Sequence, residues 1–283
     1  MRGLGVILAA LTAFFTTPSQ ALSRNEGSAF FPRYTQMEFF RNLSKLPTTP
    51  VAAAVDKPAM FVVSSINCIY SERMINILSS NKYKMSGNFI LVDVATPEQT
   101  YKAYLSYKHR SPVVFRNILS MKDMGPNTLS REESEIITSL SASILGVQEV
   151  VSSGFGIPMQ SPGIFTNVRQ FGLVHLVGLP NFEKLEGDIL PTDDVDTKNQ
   201  YQANIDEILD MSSGFSSTPQ PAPVRRIEAA VPAYLWPDRR AAHLIDIPAG
   251  ASVTVLGKKT VGDVRWVRVA PFKNQKMWFY ITE

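Results

Sequence analysis

One cysteine and three histidines stand among 283 residues, and that scarcity removes whole classes of chemistry. With Cys68 alone, the chain can form no internal disulfide, which excludes a small fold held together by such bridges. His109, His175 and His243 lie far apart and show none of the spacings of a metal site, so no metal and no cofactor are expected. Charge of one sign is also lacking. The 28 Lys and Arg against 25 Asp and Glu leave a formal charge of +3, and no basic run stands out, so nucleic acid is not an expected partner.

What is present begins at the amino end. Arg2, the apolar run Leu4 to Phe15, Thr-Thr-Pro and then Ser19-Gln20-Ala21 have the order of a signal peptide, with cleavage expected after Ala21. The apolar run is well short of the roughly 20 residues that cross a bilayer, so attachment to a membrane is expected to be peripheral at most. A chain from Leu22 to Glu283, exported to the periplasm, is long enough for two domains with real cores, and its formal charge of +3 falls to about +2 once Arg2 is gone. In an oxidising compartment an unpaired thiol must be buried, reactive, or joined to another molecule.

Residues 22 to 54 read as an amino-terminal arm. The cluster from Phe30 to Phe40 forms a short helix ending near Leu46, either packing on the domain or contacting a second copy. Ala59 to Ser64 is an apolar run of strand length that feeds into Asn67 and Cys68, followed by a helix with Met74, Ile75, Ile77 and Leu78 on one face. Asn88 to Val94 is a near-continuous apolar strand of the buried parallel kind, with Asp93 close to its end. Thr96-Pro97 and Ser111-Pro112 each set a cap before a proline, and Ser130 with Glu133 forms a capping box, so three helices are expected before Gly146. Gly163 to Thr166 and Leu173 to Val177 make two more strands, and a helix from Asn181 to about Leu190 closes the unit. Residues 191 to 224, acidic and then rich in Ser and Pro, read as a linker in which Ile205, Ile208 and Leu209 mark a short helix. From 225 to 283 the chain is strand and turn, with a polar turn over Gly257 to Gly262.

Cys68 falls at the start of a helix with Asn67 as its cap, where unpaired backbone N–H groups and the positive end of the helix dipole favour a thiolate. Cys68-Ile69-Tyr70-Ser71 resembles the Cys-x-x-Cys motif of the thioredoxin superfamily, with serine in place of the second cysteine. Ser161-Pro162-Gly163-Ile164-Phe165, then Gly172 to Gly178 and Phe182 to Leu185, resemble that superfamily's cis-proline strand, hairpin partner and last helix. The helical insertion is similar to that of periplasmic disulfide oxidoreductases and isomerases. Over residues 55 to 190 the resemblance implies an α/β thioredoxin-like fold, with Cys68 as nucleophile, Ser71 as hydrogen-bond donor to the thiolate, Pro162 as the cis-proline, and Ile69, Tyr70 and Ser161 against an extended substrate. Without a second cysteine the domain cannot store its own disulfide or expel a trapped partner, which leaves isomerase-like exchange. The alternative is a Cys68 packed under Tyr70 in a domain that only binds. His175, within a strand, reads as a core or edge residue rather than a base, and Met121 and Met124 end a helix.

Pro248 to Gly257, Arg265-Trp266-Val267-Arg268-Val269 and Trp278-Phe279-Tyr280-Ile281 are similar to the bacterial SH3 family. That implies a small all-β SH3-like barrel, with Tyr234, Trp236, Trp266 and Trp278 as candidates for a peptide groove, or else as rings that fill the core. Two functions stand side by side. One is thiol or disulfide chemistry on cysteine-containing exported proteins. The other is a non-enzymatic envelope scaffold, accessory to secretion or conjugation, that binds cell-wall peptide or envelope proteins.

Overall fold

The computed structural model describes residues 28–30, 33–52, 59–66, 68–80, 82–92, 94–120, 122–154, 161–169, 172–190, 204–217, 222–270 and 277–283. The signal peptide expected over 1–21, the cap Asn67, Asp93, Met121 and the acidic start of the expected linker lie outside them.

The first sheet has six strands: β1 (Ser28–Phe30), β2 (Thr49–Val51), β3 (Ala59–Ser65), β4 (Ser86–Val92), β5 (Gly163–Val168) and β6 (Gly172–Val177), in the order β1-β6-β5-β3-β4-β2. β3 and β4 run parallel from Ala59 opposite Ser86 to Ser65 opposite Val92, while β5 lies antiparallel to β3 and to β6. Met60 to Val63 and Phe89 to Val92 are all buried, as strands covered on both faces require. The arm supplies both outer strands, since β1 pairs with β6 and β2 with β4. Between those strands comes α1 (Arg33–Leu43), whose Phe39 and Phe40 meet Phe165 and Phe61 edge to face at 5.3 and 5.0 Å. Phe39, Phe40, Leu43 and Leu46 are therefore core residues of this chain, in keeping with a packing arm.

α2 (Ile69–Ser79) follows β3, and the expected helical insertion is α3 (Pro97–His109), α4 (Pro112–Leu119) and α5 (Arg131–Gly154). Two of the three expected caps bond as their residue types allow, while Ser111 is the N-cap of α4 without a side-chain capping hydrogen bond. Thr96 accepts from the Gln99 amide at 3.2 Å, Glu133 accepts from the Ser130 amide at 2.7 Å, and the Glu133 amide returns to Ser130 Oγ at 3.2 Å. The last helix of this unit is shorter than expected. α6 spans only Phe182–Leu185, because Ile189 bridges Val168 and the Leu190 amide donates to Asn167 O, drawing the chain back to the sheet.

The expected linker is structured over much of its length. α7 (Ile205–Ser212) buries Ile205, Ile208 and Leu209, and β7 (Ser216–Ser217) and β8 (Val224–Arg226) join a second sheet. That sheet continues with β9 (Val231–Tyr234), β10 (His243–Ile247), β11 (Ser252–Val261), β12 (Val264–Ala270) and β13 (Phe279–Thr282), in the order β10-β9-β13-β12-β11-β7 with β8 beside β11. It is an antiparallel sheet, and among the described residues no pairing closes it into the expected barrel. The polar turn expected from Gly257 to Gly262 is only Gly262-Asp263, because Gly262 alone takes the left-handed φ of 61° that a two-residue hairpin needs. Gly257 instead sits at a bulge, where an added Cβ would stand 2.7 Å from Ser216 O.

The second sheet is docked onto the first unit. Ser139 and Ser143, one turn apart on α5, bond the main chain of Trp278 on its N–H at 3.0 Å and its carbonyl at 3.1 Å. Asn42 accepts from the His243 amide at 3.1 Å, and Asp206 meets Lys108 at 3.2 Å. One continuous cluster of buried apolar residues draws on both sheets, and Phe215, Trp266 and Tyr280 form a second, smaller one. Lys259 closes α7 from the sheet side, donating to the carbonyls of Asp210, Met211 and Ser213 at 3.1, 3.2 and 2.8 Å. Lys259→Met is expected to lower stability by about 1–2 kcal/mol in a denaturant melt, since it strips charge-assisted donors from three carbonyls. Among the described residues no helix is long and apolar enough to cross a membrane.

Candidate active site around Cys68

β3 ends at Ser65, the chain turns through Ile66, and Cys68 occupies the N-cap position of α2, with φ −88° and ψ 104°. The sequence places Cys68 inside the first turn under an Asn67 cap. In the structure Cys68 is itself the cap: its amide donates to Ser65 O at 3.2 Å, and its carbonyl accepts from the Ser71 and Glu72 amides at 3.1 and 3.3 Å. Cys68 thus holds the position from which a side-chain oxygen usually caps the first-turn N–H groups, but its own side chain makes no capping hydrogen bond. Cys68 is half-buried.

Ser65, Ile66, Cys68, Ile69, Tyr70, Gln99 and Ser161 line a cleft of about 320 Å³. Ile69 and Tyr70 are 57% and 46% exposed, which gives the cleft an apolar rim. The Ser161–Pro162 peptide bond is cis, and Ser161 Oγ accepts from the Ser65 amide at 3.0 Å, tying this turn to the end of β3. Pro162 is buried, and its carbonyl accepts from the Gly178 amide at 2.9 Å. A central parallel pair, a helix capped by cysteine, and a cis-proline that opens an antiparallel hairpin now share one end of one sheet. The arrangement is thioredoxin-like.

No family profile and no curated protein matches the chain. Among solved structures it is similar to the catalytic domain of Proteus mirabilis ScsC, at 16% identity over 54% of this chain and 94% of that one, with a TM-score of 0.33. Proteus mirabilis ScsC in a compact conformation aligns at 14% identity over 70% of this chain and 88% of that one, with a TM-score of 0.35. Salmonella enterica Typhimurium BcfH aligns at 12% identity over 54% and 78% of the two chains, with a TM-score of 0.32. At these scores the likeness carries no weight for chemistry, which rests on the cleft.

The cleft gathers Cys68, Ile69, Tyr70 and Ser161, with Pro162 adjoining, but not Ser71. Ser71 is fully buried and takes a hydrogen bond from the Ser64 hydroxyl at 2.6 Å; among the described residues none joins it to Cys68. Its expected bond to the thiolate is therefore absent, because the helix turns its side chain into the core. Ser65, Ile66 and Gln99 are the cleft residues that sequence reasoning passed over, although for Gln99 the Thr-x-x-Gln spacing of a capping box was there to be read.

Behind the cleft, His175 lies opposite Phe165 in the β5–β6 register with its ring stacked on that phenyl at 4.5 Å. It is fully buried, neither ring nitrogen has a partner among the described residues, and burial drives its pKa down from 6.5 to about 4. At neutral pH it is an uncharged core residue.

The four aromatic candidates divide. Trp236 and Trp266 are 0% and 1% exposed, their surfaces taken up by packing, so they offer nothing to a groove. Tyr234 and Trp278 are half-buried. Tyr234 meets Trp266 edge to face at 5.4 Å, and the Arg268 guanidinium lies 4.8 Å over Trp278.

Proposed function

We propose that the protein is a periplasmic thiol–disulfide exchange protein, isomerase-like, with Cys68 as its single nucleophile and cysteine-containing exported proteins as its substrates. The observation that carries this reading is a half-buried cysteine at a helix N-cap, lining an apolar-rimmed cleft beside a cis Ser161–Pro162 turn. In the first step the Cys68 thiolate attacks one sulfur of a substrate disulfide. The S–S bond breaks, a mixed disulfide forms, and the other substrate sulfur leaves as a thiolate. A different substrate thiolate then attacks the mixed disulfide, closes a new substrate disulfide and returns Cys68 as thiolate. Two bonds form and two break, with no net oxidation.

The test is direct. Purified protein incubated with glutathione disulfide is expected to gain one glutathionyl group by mass spectrometry and to speed the recovery of a scrambled disulfide protein; Cys68→Ala does neither. An unreacted thiol in the folded protein would overturn the reading.

A scaffold role has one observation in its favour. β8 pairs with β11 alone among the described strands and presents Val224, 69% exposed, beside exposed Arg225 and Arg226. On that reading the second sheet is an SH3-like contact module for envelope proteins or cell-wall peptide, and Cys68→Ala leaves the cellular phenotype intact.

A further inference from the structure

Gln99 is the N3 residue of α3, and its carboxamide has a settled orientation. Its Oε1 accepts from the Ala95 amide at 2.8 Å and the Thr96 amide at 3.1 Å. Both partners are donors only, so the oxygen must face them and the –NH2 end must face away. Gln99 is also a half-buried wall of the cleft that holds Cys68, and its Nε2 has no hydrogen-bond partner among the described residues. No hydrogen bond joins Gln99 to Cys68 there either, and among the described residues no carboxylate or cation lines the cleft.

A cap alone does not call for glutamine. Glutamate serves the same box and adds a favourable charge at the positive end of the helix dipole. What glutamine has and glutamate lacks is an N–H donor at the end turned away from the capping amides. A neutral donor in a neutral, apolar-rimmed cleft matches a neutral acceptor such as a main-chain carbonyl.

We propose that Gln99 is a substrate-positioning residue, whose Nε2 donates to a main-chain carbonyl of the polypeptide that brings its disulfide to Cys68. This rests on the exchange function proposed above. The helix cap holds one end of the carboxamide, so the other end meets the substrate without first being ordered.

Gln99→Glu separates the two roles, because it keeps the acceptor for both capping amides and replaces the donor with a charged oxygen, whose effect on the sulfur itself the alkylation control reads. Its thermal midpoint is expected to equal or exceed the parent's. With an uncharged peptide disulfide as probe, mixed-disulfide formation at Cys68 is expected to slow about tenfold, chiefly through a weaker half-saturation constant. Alkylation by iodoacetamide, at a pH where the thiol is fully ionised, is expected to stay within about twofold, since that reagent has no peptide chain to position. Gln99→Glu with an unchanged peptide reaction would reduce Gln99 to a cap. An equal fall in both reactions would show an effect on the sulfur and overturn positioning. A parent that alkylates but never forms the mixed disulfide would overturn the exchange function itself, a result distinguishable from the other two.

Discussion

Between pH 6.5 and 4 the protein is expected to lose about 3 kcal/mol of stability through His175 alone. The folded-state value of about 4 lies below the 6.5 of an ordinary imidazole, and burial is the cause. Below pH 6.5 the unfolded chain therefore binds a proton that the folded chain refuses. Stability is complete above that pH, falls by about 1.4 kcal/mol for each pH unit on the way down, and levels off below 4, when the folded imidazole is protonated too. Fixed-temperature denaturant melts across that window read the slope. His175→Leu is expected to match or exceed the parent at pH 7, because it replaces two ring nitrogens that have no partner among the described residues, and to lose the slope. Parallel curves for parent and variant would remove His175 as the cause. Glu283, whose hydrogen bond from Lys258 holds its carboxyl below the usual 4.5, adds to the loss only at the acid edge of this window, from 4.5 downward.

Acid sensitivity at this position bears on the cleft through the backbone. β5 begins at Gly163, next to Pro162, and an added Cβ at Gly163 would stand 3.1 Å from His175 Nε2 and 2.0 Å from Gln148 Nε2. The strand that presents the cis-proline turn thus lies directly over the buried imidazole. A charge formed there is expected to disturb the support of Ser161 and Pro162, so the acid limit of the proposed exchange should follow the acid limit of stability.

The elements legible in the sequence were those long enough to show a period or marked by a cap. β3, β4, β5 and β6 are apolar runs, and α3, α4 and α5 begin at Thr96-Pro97, Ser111-Pro112 and Ser130 with Glu133. The three-residue strands β1 and β2 carry no periodicity, and only pairing with β6 and β4 makes them strands. The same holds for β7 and β8, which proline and serine disguise as linker until β11 pairs with them. At the site, the cysteine, its neighbours and the proline were readable because a motif fixes their spacing. Which way Ser71 faces depends on the turn of α2 and on Ser64, and neither is a property of four residues. The tryptophans divide for a similar reason: composition finds aromatic residues, whereas burial depends on which face of a sheet meets a second layer.

Trp236→Ala is expected to lower stability by about 3–5 kcal/mol and to do so across the whole chain. Trp236 is among the largest fully buried side chains and lies in the loop between β9 and β10, beside the fully buried Ala241 and Ala242. Two separate domains on a flexible linker would confine the damage to the second sheet. The buried cluster says otherwise, since Trp236 shares it with Phe39 and Phe40 of α1, with Val62 of β3 and with Ile144 of α5. The Ser139 and Ser143 bonds to Trp278 and the Asn42 bond to His243 add polar ties along the same seam. Unfolding should then be one transition, and the variant should shift it without splitting it. A fluorophore attached to Cys68 reports on the first sheet through a denaturant series, while tryptophan fluorescence reports on the second, to which all three tryptophans belong. Coincident midpoints that fall together in Trp236→Ala support a shared core, and a Cys68 midpoint that stays in place while the aromatic signal falls early refutes it. Trp236→Phe should cost less, because it keeps a ring in the space and removes an indole N–H that has no hydrogen-bond partner among the described residues.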